Sequence, residues 1–236
     1  MSSQKIHGND PSLVTELEPF FNSAVSVDCV IFSYAREKGS LQVLTLECPM
    51  SPFEGMSALV GDLIGVDEDL DSAAKRVVRE RAHIPNIFLH QVHTFGSVHR
   101  HPVGRVITVA YYAFVRWEGM EPLKDNVYHP HWESLESLQK KKMAFDHSAI
   151  LEYSLKHIQN HITDVPIEYM LDDYFTLSEL QSLYEAILQK SLDKRNFRKK
   201  AFKLDLIKKT SKTQRNVAHR PAQLFRFNTE RKGNVL

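Results

Sequence analysis

GDLIGVDEDLDSAAKRVVRERAHI, residues 61–84, is the stretch on which the reading of this chain turns. Leu70, Ala73, Ala74, Val77 and Val78 fall at i, i+3, i+4, i+7 and i+8, which predicts a helix with one apolar stripe turned to a core. Arg76 and Glu80 stand four residues apart on one face of that helix, a spacing that favours an ion pair between them. Taken by spacing alone, an ordinary amphipathic helix accounts for the segment almost as well as any functional reading.

The order of the polar residues is more specific. The segment resembles the Nudix box, which runs Gly, five residues, Glu, seven residues and then Arg-Glu-aliphatic-x-Glu-Glu-x-Gly-aliphatic; its outer Glu falls on Glu68, its Arg on Arg76 and its aliphatics on Val78 and Ile84. The carboxylates that hold magnesium in Nudix hydrolases fall on Val77, Glu80 and Arg81, so only Glu80 is retained, and Asp62 and His83 replace the two glycines. A hard divalent cation needs several oxygen ligands converging at short range. A guanidinium about 4 Å from such a cation costs on the order of several kcal/mol even at an effective dielectric near 20. The resemblance implies a Nudix scaffold with no catalytic residue, metal or cofactor to assign, and no hydrolase activity.

Outward from this segment, the 236 residues give room for one large or two modest domains, and 42% apolar with 25% charged residues is ordinary globular composition. Cys29 and Cys48 lie in apolar, strand-like runs and form neither a disulfide framework nor a metal spacing, as fits a reducing cytoplasm. The start of the chain lacks a signal-peptide core and the longest apolar run, 106–115, is too short for a bilayer, so a cytoplasmic protein with no membrane partner is expected.

Residues 1–20 are polar and aperiodic and predict a flexible arm. VSVDCVIFSY and LQVLTLE flank a turn at 36–40; with FLHQVHTFG and RVITVAYYAFVRW they are rich in β-branched and aromatic residues and predict strands. Between them, 61–84 reads as a loop and a helix, and 148–161 as a closing helix with Ile150, Leu151, Ser154, Leu155 and Ile158 on one side. Layers of this kind predict an α/β/α sandwich over 21–162.

A second pattern occupies 163–236. Thr176 and Glu179 form a capping box in front of LSELQSLYEAIL, and Asp193 is the natural N-cap for KRNFRKKAFKL. Phe197, Ala201 and Leu204 share one side of this second helix, leaving Arg195, Arg198 and Lys199 opposite, with Lys194 and Asn196 at its start. LIKKT and QLFRF predict two short strands around the basic tip SKTQRNVAHRPA. Residues 190–220 carry twelve Lys or Arg against Asp193 and Asp205, whereas the whole chain has a net charge of only +1, so an acidic front is joined to a basic back. Helix, turn, basic helix and hairpin is the order of a winged helix-turn-helix, whose second helix reads the major groove while the wing grips phosphates. Lys194, Arg195, Asn196, Arg198, Lys199, Lys208, Lys212, Arg215 and Arg220 are the candidate contacts to a double-stranded operator.

With FTLSELQSLYEAIL, LDKRNFRKK and HRPAQLFRF after a degenerate Nudix box, and with HTFG at 93–96, GRVITVAYY at 104–112 and MAFDH at 143–147, the chain resembles the Nudix-related bacterial transcriptional regulators over roughly 22–230. That family includes regulators of NAD metabolism and of arabinose use. The resemblance implies an α+β fold, an N-terminal Nudix-like sandwich with a C-terminal winged helix, acting as a homodimer whose DNA affinity answers to a small effector. The sugar-sensing branch of that family tolerates loss of the glycines and of two Glu residues, so the resemblance implies a pentose such as L-arabinose as that effector, with an ADP-ribose-sensing regulator, or a Nudix phosphohydrolase carrying an added nucleic-acid-binding domain, as alternatives. The resemblance places effector contacts on Phe95, Arg100, Arg105, Asp146 and His147, and on Arg76 and Glu80 unless these two form a structural ion pair. Asp146 and His147 are equally placed to cap a helix. The histidine pairs 90/93, 99/101 and 129/131 carry no three-ligand spacing, so pocket or surface roles are expected for them rather than a metal.

Overall fold

In a computed structural model, residues 23–116, 127–214 and 220–228 are described; the arm expected at 1–20 and the candidate contact Arg215 lie outside the described residues. The run AVSVDCVIFSYA forms β1 (Ala24–Ala35), which sits at the centre of a mixed sheet of seven strands among those described. It runs parallel to β6 (Val106–Phe114), with Val27 beside Val109 and Cys29 beside Tyr111. Its opposite edge is shared: Ser26 to Cys29 pair antiparallel with β4 (Val60–Leu63), and Phe32 to Ala35 with β2 (Ser40–Glu47). Beyond these, β2 pairs with β3 (Ser57–Ala58) and β7 (His131–Ser134), and β6 with β5 (His90–Phe95).

Alternation along β1 sorts the core into two layers. Val27, Cys29 and Ile31 turn to the face covered by α1 (Leu70–Ala82), together with Leu44, Val60 and Tyr111. Val30, Phe32 and Tyr34 turn to the other face, with Val43, Ala110, Tyr112 and Phe114, beneath α2 (Leu135–Lys140) and α3 (His147–Asn160). The stripe predicted for α1 is its buried side: Ala73, Ala74, Val77 and Val78 are fully buried, and each valine contributes about 1.5–3 kcal/mol by leaving water. Asp69 caps α1 by accepting the Ser72 N–H at 2.7 Å. His83 ends it in the left-handed region at φ 56°, its N–H donated to the Arg79 carbonyl. The Nudix pattern has glycine there, so the backbone conformation persists without the residue that favours it.

The second layer does not stop at the sandwich. Leu151, Leu155 and Ile158 of α3 share one continuous core with Leu180, Leu183 and Ile187 of α4 (Leu177–Leu188), Phe197 and Ala201 of α5 (Lys194–Lys203) and Phe225 of the wing. The capping box is formed reciprocally: the Glu179 N–H donates to Thr176 Oγ1 at 3.1 Å and the Thr176 N–H to Glu179 Oε2 at 2.7 Å. Asp193 accepts the Asn196 N–H at 2.8 Å at the start of α5. The wing strands β9 (Ile207–Thr213) and β10 (Gln223–Phe227) pair antiparallel, and β10 also takes in β8 (Phe175–Thr176), giving the order β8-β10-β9.

Gly61, read as loop, lies in β4 because its backbone completes the edge of β1. β3, β7 and α2 were not expected, since elements of two to six residues carry too little periodicity to register. β9 runs on through Ser211 to Thr213, so the predicted wing tip is shorter than drawn. Among the described residues no helix is long and apolar enough to cross a membrane.

Candidate functional site

A cavity of about 520 Å³ opens beside the N-terminal ends of β1 and β6, walled by β2, β4, the loop before β6 and the start of α3. Its floor is charged. The Arg100 side chain, only 3% exposed, lies between Asp28 on β1, at 3.1 Å, and Asp146, whose two carboxylate oxygens accept at 2.7 and 3.0 Å. Burial pushes the Asp28 carboxyl up, but His147 beside it, and then Arg100, outweigh that and hold it at about 2. His147 Nδ1 accepts the Leu59 N–H at 2.9 Å, which leaves Nε2 facing Asp28 Oδ1 at 3.4 Å. Close approach here needs glycine: a Cβ on Gly61 would stand 2.1 Å from Asp28 Oδ1.

The walls are mainly apolar, with Leu46, Met50, Leu59 and Val106, and carry one aromatic platform. The Phe145 ring lies flat against His101, with centroids 5.2 Å apart and planes 7° from parallel. Desolvation, then the charge of Arg100, pushes the His101 imidazole below its ordinary range. At the rim, the Arg81 guanidinium is ion-paired with Asp62 and lies 4.3 Å over the Tyr128 ring. Buried charges that hold one another, an apolar wall and a flat aromatic edge are what a site needs to orient a small polar ligand.

Of the expected effector contacts, Arg100 and His147 line this cavity and Asp146 anchors its floor. The other four lie off its wall. Arg76 grips Glu68 through Nε, at 2.9 Å, and Nη2, at 2.6 Å, donates to the Leu63 carbonyl, and reaches Glu80 at 3.3 Å; it ties the loop to α1. Phe95 packs edge-on against His93 and Tyr153 of α3. Arg105 donates to the Gly96 carbonyl at 2.6 Å and closes the loop between β5 and β6. Asp146 stands at the N-cap of α3, yet its side chain makes no cap bond and holds Arg100 instead. Sequence reasoning missed Asp28, Asp62, Arg81, His101, Tyr128 and Phe145. Asp62 and Arg81 stood out only as departures from the Nudix box, and Asp28 as a carboxylate inside a largely apolar strand.

The Nudix magnesium does not fit these residues. Val77 is sealed in the core, Glu80 turns to Arg76, and Arg81 brings a positive charge to the rim. Among the described residues no group of three His, Cys, Asp or Glu could hold a metal ion. The paired histidines are used otherwise: His93 stacks on Tyr153, His90 on Tyr112, and His131 lies 3.3 Å from Glu133.

The second surface is basic. Along α5, Phe197 and Ala201 are buried against α4 while Lys194, Arg195, Asn196, Arg198 and Lys199 are exposed. On the adjoining wing Lys212 lies 3.5 Å over the Tyr174 ring, Lys208 is half-buried and Arg220 exposed. Cations aligned on one helix face, flanked by more on a hairpin, make a surface suited to neutralising phosphates.

Comparison with known proteins places both halves. The family profile described as the NrtR DNA-binding winged helix domain matches residues 167–227. The ADPR responsive transcriptional repressor NtrR of Acinetobacter baylyi is 32% identical over 207 residues, which is 86% of this chain and 81% of that protein. The crystal structure of Shewanella oneidensis NrtR complexed with a 27mer DNA superposes with a TM-score of 0.75 at 27% identity, covering 89% of this chain and 95% of that one. The NUDIX domain of the same Shewanella protein, solved with ADP ribose, shares the fold at 24% identity and a TM-score of 0.54, over 64% of this chain and 99% of its own.

Proposed function

This chain belongs to the NrtR family of Nudix-related transcriptional regulators, and from that premise we propose that it is a homodimeric repressor whose Nudix domain binds ADP-ribose without hydrolysing it. That it is a DNA-binding regulator with a Nudix domain follows from the family. The effector is the further step. The observation that carries it is the cavity floored by Asp28, Arg100 and His147 in a domain whose relatives respond to ADPR in one case and were crystallised with ADP ribose in another.

A pentose, the effector expected from the lost glycines and carboxylates, finds no support among these relatives. That expectation assumed that a diphosphate needs the magnesium ligands; a volume of about 520 Å³ is also ample for a nucleotide-sized ligand. Hydrolysis is disfavoured by the residues themselves, since Val77 and Arg81 offer no oxygen to a metal and no carboxylate to activate water. In the dimer, two copies of α5 would enter successive major grooves about 34 Å apart, so a modest rotation between subunits is enough to weaken binding.

The test uses duplexes selected from a random pool by the full-length protein, with binding followed by fluorescence anisotropy. Affinity is expected to change at least about tenfold on adding ADP-ribose and to be insensitive to L-arabinose. An arabinose response with none to ADP-ribose would sink the effector assignment. Sedimentation of the free and DNA-bound protein checks the dimer.

A further inference from the structure

We propose that the Arg81 guanidinium stands in for the divalent cation of the Nudix pattern, taking the effector's diphosphate directly so that binding needs no metal. The inference rests on ADP-ribose, or another nucleoside diphosphate sugar, being the ligand of the pocket.

Two departures from the Nudix pattern meet in space. Where the pattern has a metal-binding carboxylate the chain has Arg81, and where it has the first glycine the chain has Asp62; these two side chains form an ion pair at the cavity rim. The charges have been exchanged: the carboxylate moved to β4 and the cation became part of the chain. Tyr128 lies under the guanidinium, 4.3 Å from it.

The rim pair is not sealed. Its side chains are 20% and 34% exposed, against 3% and 7% for Arg100 and Asp28 on the floor. The rim pair is in reach of solvent and can exchange its partner for an incoming anion, whereas Arg100 is locked between two carboxylates. A guanidinium also matches phosphate oxygens in a bidentate fork, which a point charge does not. Among the described residues, Arg81 is therefore the cation on this wall that a diphosphate can recruit. Asp62 holds it in position until then, its other oxygen accepting the Leu63 N–H at 2.8 Å.

Calorimetric titration of the full-length protein with ADP-ribose, in EDTA and again in magnesium, is the direct test. The two dissociation constants are expected to agree within about twofold, with Arg81→Ala raising the value about tenfold or more and Arg81→Lys falling between. Asp62→Asn keeps the acceptor for Leu63 but removes the carboxylate that competes for Arg81, and is expected to tighten binding; a merely structural pair would make both rim variants bind worse. Thermal melts confirm that each variant is folded. Binding that appears only with magnesium, or an Arg81→Ala protein with wild-type affinity, overturns the inference and leaves the effector assignment standing. No binding in either buffer removes the effector assignment and the inference with it.

Discussion

The arginines of the Nudix domain and those of the winged helix stand in opposite circumstances. Arg76 and Arg100 are each matched to carboxylates of their own chain, with Arg100 nearly sealed between Asp28 and Asp146. Arg195 and Arg198 lie exposed along α5, the latter with its guanidinium 5.6 Å over the Phe202 ring. A matched cation holds a fold together and a solvated one waits for an anion from outside. Near-zero net charge conceals this division, because an acidic front offsets a basic back.

The largest effect is expected where the matching is tightest. Arg100→Ala leaves Asp28 buried without its guanidinium and is expected to cost about 3–5 kcal/mol in chemical unfolding. Asp28→Asn is expected to be milder, since the amide still accepts a hydrogen bond, and to change the response to acid. The Asp28 carboxyl is held at about 2, below the usual carboxylate range. Its contribution is therefore complete above about pH 4 and lost as pH falls towards 2. Wild-type protein is expected to weaken through that window, and the Asn variant to lose that part of the acid limb. A variant at Arg100 that unfolds like wild type would mean that the floor of the cavity is not a buried charge cluster.

What the sequence could tell about these two regions differs for the same reason. The basic helix α5 was legible because its signals are local: Asp193 as cap, Phe197 and Ala201 on one side, and cations on the other. The frame of α1 was legible too, since its stripe of Ala73, Ala74, Val77 and Val78 is periodic. The cavity was not. It is assembled by register, with Asp28 opposite Gly61 across β1 and β4, Arg100 brought in from the loop before β6 and His147 from the start of α3. Nothing local reports that Asp62 and Arg81, nineteen residues apart, meet at one rim. Spacing on the helix paired Arg76 with Glu80, as found at 3.3 Å, but could not tell that its closer partner is Glu68, at 2.6 Å.

On the exposed side, Arg195→Ala and Arg198→Ala are each expected to reduce discrimination between selected and random duplexes by about 1–3 kcal/mol, with the melting temperature almost unmoved. Binding should weaken steeply between low and moderate salt, and each substitution of a candidate phosphate contact such as Lys212 should flatten that slope by roughly one ion. Loss of folding in either arginine variant, or affinity indifferent to salt, would break the contrast drawn between the two regions.

The smallest effect sharpens the comparison through backbone rather than charge. Both regions end a helix on a non-glycine residue in the left-handed conformation, His83 after α1 at φ 56° and Gln189 after α4 at φ 51°. Glycine relieves the strain of that conformation, by up to about 1 kcal/mol. The His83 side chain is exposed, so His83→Gly, which restores the residue of the Nudix pattern, is expected to stabilise by most of that amount. Gln189 instead exchanges amide hydrogen bonds with Gln139 of α2, at 2.8 and 3.3 Å, and so links winged helix to sandwich. Gln189→Gly gives up that link as it relieves the backbone, and its net effect is expected to lie nearer zero. Equal gains from both, measured by urea unfolding, would mean that the Gln139–Gln189 contact adds nothing to the joint between the two halves.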